Sequence, residues 1–138
     1  MDNKKINAVG IIIENNENKI LLQLRDSNTD RFPNCWVLLG GAIKHNESPE
    51  KAIIREIKEE IDFNLKDFDF FGNFFYNKDN QAFFYKKIDL DLKKINLTEG
   101  KEIRFFSEEE IKNINFGFNI KEVVNAFLVN RREKNESD

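Results

Sequence analysis

Three glutamates near the middle of the chain, Glu56, Glu59 and Glu60, have the spacing of a carboxylate cluster. On an α-helix, Glu56 lies three and four residues before the other two, so all three carboxylates would share one face. Like charges at this spacing destabilise an isolated helix by about 0.3 kcal/mol per pair. A divalent cation such as Mg²⁺ would offset this repulsion because it prefers oxygen ligands. The alternative is an ordinary solvated helix face, since runs of charged residues commonly form one.

The glutamates belong to a longer pattern, in which Glu47 follows Gly41 by six positions and Arg55 comes eight positions later. Six fixed residues at set spacings coincide by chance about once in a million windows or fewer. The helix that carries them is predicted to begin after Ser48, an N-cap residue, with Pro49 at its first position. This regularity favours the metal site over the solvated face. The apolar side of the helix consists of Ala52, Ile53, Ile54, Ile57 and Ile61.

Segment 41–63 resembles the Nudix box, Gly-x5-Glu-x7-Arg-Glu-U-x-Glu-Glu-x-Gly-U, in which U is an aliphatic or aromatic residue. Asp62 stands where the family has Gly. This position follows the helix, where a left-handed backbone is common, and Asp is one of the few residues that tolerate it. The surrounding order of strands extends the resemblance over about 5–128. The matching residues are Gly41, Glu47, Arg55, Glu56, Ile57, Glu59, Glu60 and Phe63.

The resemblance implies an enzyme that cleaves a pyrophosphate linkage with the help of Mg²⁺, with Mn²⁺ as the alternative ion. Metal ions suit this reaction because they neutralise phosphoryl oxygens and lower the pKa of a bound water molecule. Arg55 and Glu47 would form a supporting pair that orients the carboxylates of the helix. The implied metal ligands are the backbone carbonyl of Gly40 and the side chains of Glu56, Glu59 and Glu60.

A further carboxylate is expected on the loop before the predicted strand 103–106. Glu99 occupies the place where many MutT-like members carry an additional ligand or base, and Gly100 gives the loop freedom to approach the metal. Glu102 is the alternative, at a strand edge where alternation fixes its direction. Glu99 is therefore the preferred candidate for both roles.

Three residues outside the box are predicted to contact the substrate. Arg25 ends a predicted strand and would bind a phosphate, although a surface ion pair is an equal alternative. Asn119 would hydrogen-bond the edge of a base. Trp36, or alternatively Phe32, would stack on a base, although large aromatic side chains more often pack in the core.

Composition narrows the class of protein. A chain of 138 residues with 40% hydrophobic residues and 14 Phe predicts a single globular domain. A net charge of −3 argues against a nucleic-acid polymer as partner, since such modules carry a basic surface. Run 8–13 is too short to span a membrane, and the single Cys35 favours a reducing, cytoplasmic location as a packed thiol. The only histidine, His45, has no second His or Cys beside it for a zinc site and is predicted to be exposed.

The predicted strands are 6–13, 19–24, 36–39, 68–76, 81–88 and 103–106, with a hairpin turn at 77–80. Besides the box helix, a short helix follows Ser107 and a longer one covers 120–129. Mixed strands with helices on both faces predict a single-domain α/β/α sandwich with a mixed central sheet, which the resemblance also implies. The predicted domain is 1–130, followed by a charged, disordered tail at 131–138.

The resemblance implies cleavage of a nucleoside diphosphate linked to another group. By size, the chain is most similar to MutT-like enzymes that convert a nucleoside triphosphate to the monophosphate and pyrophosphate. The first alternative is a nucleotide-sugar or ADP-ribose pyrophosphatase. The second is a non-catalytic Nudix-fold module that senses a nucleotide, although a full carboxylate set is unnecessary for sensing. A small-molecule nucleotide is the expected partner, and both a monomer and a homodimer fit the sequence.

Overall fold

The computed structural model describes residues 5–97 and 100–136, in which seven strands form one mixed sheet with helices on both sides. The predicted α/β/α sandwich is confirmed. The strands are β1 (Ala8–Glu14), β2 (Ile20–Leu24), β3 (Trp36–Val37), β4 (Leu39–Ala42), β5 (Asp69–Tyr76), β6 (Asp79–Lys87) and β7 (Glu102–Phe106). The helices are α1 (Pro49–Ile61), α2 (Glu108–Ile111) and α3 (Ile120–Glu136), with a short 3₁₀ helix at Leu92–Lys94.

The hairpin of β1 and β2 divides the sheet into two groups of strands. In the described chain these two strands pair at one position beside their turn, where Glu14 lies opposite Ile20. Beyond that point β1 runs parallel to β6 and antiparallel to β4, whereas β2 pairs antiparallel with β3 and β7. Strand β5 completes the first group by pairing antiparallel with β6. The two groups therefore separate from each other and leave space between them for a cleft.

Apolar side chains fill both faces of the sheet. Successive residues of a strand point to opposite faces, so Ile11 packs with Ile53 of α1 while Ile12 packs with Val123 of α3. Strand β1 is an almost continuous apolar run because both of its faces are buried. Each fully buried Ile or Leu contributes about 1.5–3 kcal/mol relative to an exposed one. The box helix is thus fixed against the sheet by its apolar side.

Both ends of α1 form as the sequence predicts. The Ser48 hydroxyl accepts a hydrogen bond from the backbone N–H of Lys51 at 3.1 Å, and Pro49 takes the first helical position. Asp62 at the other end has a left-handed backbone with φ of 53°, the conformation for which the family uses Gly. The chain accommodates this substitution, and Lys58 pairs with the Asp62 carboxylate at 2.6 Å.

The turn between β5 and β6 is shorter than predicted. Strand pairing continues to Tyr76 and Asp79, so Asn77 and Lys78 alone form the turn rather than 77–80. Both turn residues have positive φ, 48° and 74°, as two-residue hairpin turns of type I′ require. The polar run in the sequence marks the turn but does not show where the ladder resumes.

The predicted disordered tail requires correction, because α3 continues to Glu136 and residues 131–136 are helical. Arg131 donates a hydrogen bond to the carboxylate of Glu14, which is 3% exposed and also accepts one from the Tyr85 hydroxyl at 2.6 Å. Glu108 binds both Arg131 and Arg132. Local composition could not reveal a buried partner that lies 117 positions away in the chain. Residues 137 and 138 lie outside the described part.

None of the helices in the two described ranges is long and apolar enough to cross a membrane. The longest, α3, has 17 residues, and its exposed side carries charged side chains.

Candidate active site

A cleft of about 610 Å³ lies between the two groups of strands. Part of its lining comes from the box segment and the residue before it, namely Gly40, Gly41, Glu56 and Glu60. Distant parts of the chain complete the lining, among them Arg25, Gln81, Gly100 and Phe118. Small-molecule sites usually measure about 300–1,000 Å³, so the cleft has room for a nucleotide.

Arg55 of α1 forms hydrogen bonds with three carboxylates of the box, those of Glu47, Glu56 and Glu59. Its Nε and Nη2 donate to the two oxygens of Glu47 at 2.7 and 2.9 Å, and Nη2 also donates to the carbonyl of Ala42 at 3.0 Å. Its Nη1 donates to Glu56 at 2.9 Å and to Glu59 at 3.0 Å. The predicted contact between Arg55 and Glu47 therefore exists as a bidentate ion pair, the strongest form of such a bond. Hydrogen bonds from Arg55 lower the pKa of Glu47 to about 2, and the same bonds raise the pKa of Arg55.

Glu56 and Glu60 are the two box glutamates in the cleft lining. Glu60 is 4% exposed, and its Oε1 accepts a hydrogen bond from the backbone N–H of Gly40 at 3.2 Å. Burial raises the pKa of Glu56, against the opposing effects of the Arg55 ion pair and a hydrogen bond with Glu60. The cleft thus holds two adjacent carboxyl groups, one of which takes up a proton more readily than an exposed glutamate.

Gly40 and Gly41 both lie against close neighbours, but of different kinds. A Cβ on Gly40, whose φ is +156°, would lie 2.1 Å from the carbonyl oxygen of Val9. A Cβ on Gly41 would lie 2.5 Å from the carboxylate carbon of Glu56. The first contact is with backbone that cannot move, whereas the second is with the end of a side chain. Gly41 therefore leaves the space in which the Glu56 carboxylate lies.

Glu59 occupies a different place from the other two box glutamates. Its side chain is half exposed, is bound by Nη1 of Arg55, and does not belong to the cleft lining. Within the described ranges, no three Asp, Glu, His or Cys side chains come close enough to hold a metal ion together. The predicted three-carboxylate cluster is therefore not assembled among these described residues, where Nη1 of Arg55 binds both Glu56 and Glu59. The oxygen donors of Glu56 and Glu60 nevertheless suit a hard divalent cation.

Arg25 is the residue for which the sequence predicts phosphate binding, with a surface ion pair as the alternative. It lines the cleft, and its Nε donates to the carbonyl of Arg31 at 3.0 Å while Nη2 donates to the Thr29 hydroxyl at 3.1 Å. Its guanidinium lies over the ring of Phe118, with 5.0 Å between Cζ and the ring centroid. These contacts fix the side chain in the cleft before a ligand arrives.

Asn119 does not point a free amide into the cleft. It is 7% exposed and exchanges two hydrogen bonds with the amide of Gln81, at 2.7 and 3.1 Å. Gln81 lines the cleft, whereas Asn119 is not part of the lining. Gln81, which sequence analysis missed, is thus the better placed of the two amides for contact with a ligand.

Trp36 lies in the core rather than on the cleft wall. It is 8% exposed and packs edge-on against Phe106, with ring centroids 4.6 Å apart. The structure thus favours core packing of Trp36 over stacking on a base. Phe32 packs against Phe118, with ring centroids 4.6 Å apart, and is likewise absent from the lining.

Phe118 is an aromatic residue of the cleft that sequence analysis missed. It has a positive φ of 52°, and the guanidinium of Arg31 lies 4.9 Å from its ring centroid, on a ring that Arg25 also contacts. The sequence signal was limited to the adjacent Gly117, which packs closely against Phe32 and Val37.

The predicted loop carboxylate has two candidates, Glu99 and Glu102. Glu99 lies outside the described residues. Glu102 begins β7, is exposed, pairs with Arg104 at 3.5 Å and does not line the cleft. Gly100, the neighbour of Glu99 in the sequence, does line the cleft. His45 is exposed, as predicted, and Cys35 is half-buried with a free thiol.

Comparison with protein families decides the family. The model of the NUDIX domain matches residues 4–127, nearly the whole chain. The chain belongs to the Nudix family. The resemblance of segment 41–63 is thereby confirmed, and the Nudix box coincides with α1 and the loop before it.

Relatives similar to this chain differ in the compounds that their names specify. An ADP-ribose pyrophosphatase from Methanocaldococcus jannaschii is 49% identical over 53 residues, which are 38% of this chain and 30% of that protein. An 8-oxo-dGTP diphosphatase from Proteus vulgaris is 31% identical over 65 residues, 47% of this chain and 57% of that protein. The chain thus spans less than two thirds of these relatives. The structure of a MutT protein from Methanosarcina mazei superposes with a TM-score of 0.64 and 24% identity, over 83% of this chain and 86% of that chain, which supports the fold.

Proposed function

We propose that this Nudix chain is a hydrolase that cleaves a pyrophosphate linkage, and that its substrate is a nucleoside triphosphate, which it converts to the monophosphate and pyrophosphate. The observation that carries the proposal is the presence of Glu56 and Glu60 in a nucleotide-sized cleft that also contains Arg25. Carboxylates suit a cation, and the guanidinium suits a phosphate. Similarity to an 8-oxo-dGTP diphosphatase supports the same class of substrate.

A divalent cation, Mg²⁺ or Mn²⁺, fits the residues of the cleft. The donors are hard carboxylate oxygens, and the missing Cβ of Gly41 leaves room for the Glu56 carboxylate at the cleft wall. The residues in the cleft that would hold the ion are Glu56 and Glu60, with the carbonyl of Gly40. Glu59, which Arg55 binds beside the cleft, is the further expected ligand. When bound, such an ion neutralises phosphoryl charge and makes a water molecule more acidic.

The chain's own residues orient the substrate and the carboxylates. Arg25 is held by Arg31 and Thr29, so it can bind a phosphate oxygen with little loss of side-chain freedom. Arg55 fixes the direction of Glu56 and offsets part of the pKa increase that burial causes. Because a cation binds the ionised form of a carboxyl group, this effect of Arg55 favours cation binding.

A turnover screen with purified protein tests the proposal. Standard and oxidised nucleoside triphosphates, nucleotide sugars and ADP-ribose are incubated with Mg²⁺ or with excess chelator, and the products are separated by chromatography. We expect a nucleoside monophosphate and pyrophosphate from at least one triphosphate. Triphosphates that stay intact while ADP-ribose is cleaved would replace the proposal with its alternative, an ADP-ribose pyrophosphatase.

That alternative has one specific observation in its favour, the 49% identity over 53 residues to an ADP-ribose pyrophosphatase. The matched part is 30% of that relative, so its activity cannot be transferred to this chain directly. A nucleotide-sensing module without catalysis is the third possibility. Saturable nucleotide binding with no turnover of any compound in the screen would support it.

A further inference from the structure

Strand β5 ends one side of the sheet in the described chain and exposes two large apolar side chains. Phe70 is 56% exposed and Phe75 is 60% exposed. The strand has eight residues, and the backbone groups along its outer edge point away from its partner β6. An edge strand with exposed apolar side chains readily pairs with another strand. This edge is therefore a candidate interaction surface.

The exposed phenylalanines lie on the same face of the sheet. Phe70 is opposite Phe84 and Asn73 is opposite Ala82, and both partners pack in the core beneath α1. Phe75 lies two positions beyond Asn73, so alternation places it on that face as well. Phe70 and Phe75 are five positions apart, which in a regular strand would place them on opposite faces. A bulge between Phe70 and Gly72 adds one residue to the strand, so both side chains lie on the same face. Phe70, Asn73 and Phe75 thus form one strip along the free edge.

The strip is complementary to itself. Residues 70–75 read Phe-Phe-Gly-Asn-Phe-Phe, and the bulge makes 71–72 act as one position of the ladder. We propose that a second copy of this chain pairs antiparallel with β5, across a two-fold axis between the two Asn73 residues. Each Phe70 then lies opposite Phe75 of the second copy, on the same face. Phe74 of each copy lies opposite the bulge of the other.

The symmetry of the strip favours a second copy as the occupant of this edge. Phe70 and Phe75 lie two ladder positions on either side of Asn73, so the strip reads the same in both directions. Two copies related by a two-fold axis therefore bring two pairs of aromatic rings together, and such cross-strand pairs stabilise the pairing of strands.

In the proposed dimer the second copy would lie near the cleft of the first, but the cleft would not need a residue from it. Tyr76 and Asn77, at the end of β5, line the cleft. Antiparallel pairing would therefore bring the start of β5 of the second copy close to the cleft of the first. The proposal does not depend on which compound the cleft binds.

The oligomeric state of the purified chain tests the proposal. Sedimentation velocity over a range of concentrations should show a dimer. Phe75→Lys should raise the dimer dissociation constant by about tenfold or more, because it removes an aromatic pair at both symmetric positions. Val129→Lys is the matched control, since Val129 is also apolar and half exposed but lies on α3, and the dimer should persist. Thermal unfolding shows whether each variant still folds.

A disulfide experiment tests the register. With Cys35→Ser as background, Asn73→Cys should crosslink two copies on mild oxidation, because directly opposite Cα atoms lie about 5 Å apart, within reach of a disulfide. Asp69→Cys on the same strand should not crosslink, because residue 69 of one copy lies opposite residue 76 of the other and is far from residue 69 of that copy. A native chain that stays monomeric at all concentrations overturns the proposal. So does a dimer that survives Phe75→Lys unchanged, or equal crosslinking at the two positions.

Discussion

Gly41→Ala places a methyl group in the space that the Glu56 carboxylate occupies. The new Cβ would lie 2.5 Å from the carboxylate carbon and 2.5 and 2.6 Å from its two oxygens. An ordinary contact begins at 3.4 Å, so the carboxylate must move by about 0.9 Å. The backbone of Gly41 itself has no positive φ, unlike that of Gly40, so alanine fits the local conformation.

We expect this variant to lose activity without losing stability. A displacement of about 1 Å of a catalytic group can lower the rate about a hundredfold. The free energy of unfolding should stay equal or rise by up to about 1 kcal/mol, because Gly→Ala at a compatible position restricts the unfolded chain. The displaced group is the end of a flexible side chain, which adapts without disturbing the core.

The assay measures kcat, KM and the thermal midpoint of the variant with the substrate found in the turnover screen. Gly72→Ala is the matched control, because its Cβ would meet its nearest neighbour, an atom of Phe74, at an ordinary 3.5 Å. Its kcat should equal that of the native chain. A fully active Gly41→Ala variant would refute the idea that activity requires the Glu56 carboxylate in its present position. An inactive variant with a much lower thermal midpoint would refute the separation of activity from folding.

Four further predictions follow from the site. Activity should require Mg²⁺ or Mn²⁺ and should disappear in excess chelator, and full turnover with chelator would contradict the proposal. Glu59→Gln and Glu60→Gln should each lower turnover about a hundredfold while the circular dichroism spectrum is unchanged, and normal rates would remove these residues from the ligand set. Glu99→Gln should reduce kcat at least about tenfold with little change in KM, and Glu102→Gln should have a smaller effect; the reverse ranking would move the role to Glu102. The pKa of Glu47 is lowered to about 2 from an ordinary 4.5, so its contribution to stability is complete above pH 4.5 and is lost as the pH falls toward 2. The thermal midpoint of Glu47→Gln should therefore vary less with pH over that interval than that of the native chain, and parallel curves would show that the ion pair does not contribute.

The sequence predicted the parts of the fold that depend on local chemistry. Ser48 and Pro49 fix the start of α1, and the left-handed residue at its end was expected from the tolerance of Asp62. The contact of Arg55 with Glu47 follows from their positions in the box, which a family resemblance transfers well. Local rules also gave the buried strands and the two helical layers, because a period of two or of 3.6 is visible in the residues themselves.

Contacts between distant residues could not be predicted in this way. The amides of Asn119 and Gln81 form hydrogen bonds across 38 positions of the chain. Trp36 packs in the core against residues that come much later in the chain, such as Phe106. Neither event leaves a local pattern. Arg55 offers a subtler case, since the spacing of Glu59 predicts a shared helix face but not that a guanidinium four residues earlier would bind its carboxylate.

The buried Glu14 ties the order of synthesis to the order of folding. Glu14 lies in β1, yet its cationic partner Arg131 is made 117 residues later. Until Arg131 arrives, burial of the Glu14 carboxylate leaves a charge without its counter-ion, which is unfavourable in an apolar interior. Strands β1 and β2 can therefore pair early on the nascent chain, whereas burial of Glu14 becomes favourable once α3 supplies Arg131. We expect α3 to dock after β1 and β2 have paired when this domain folds.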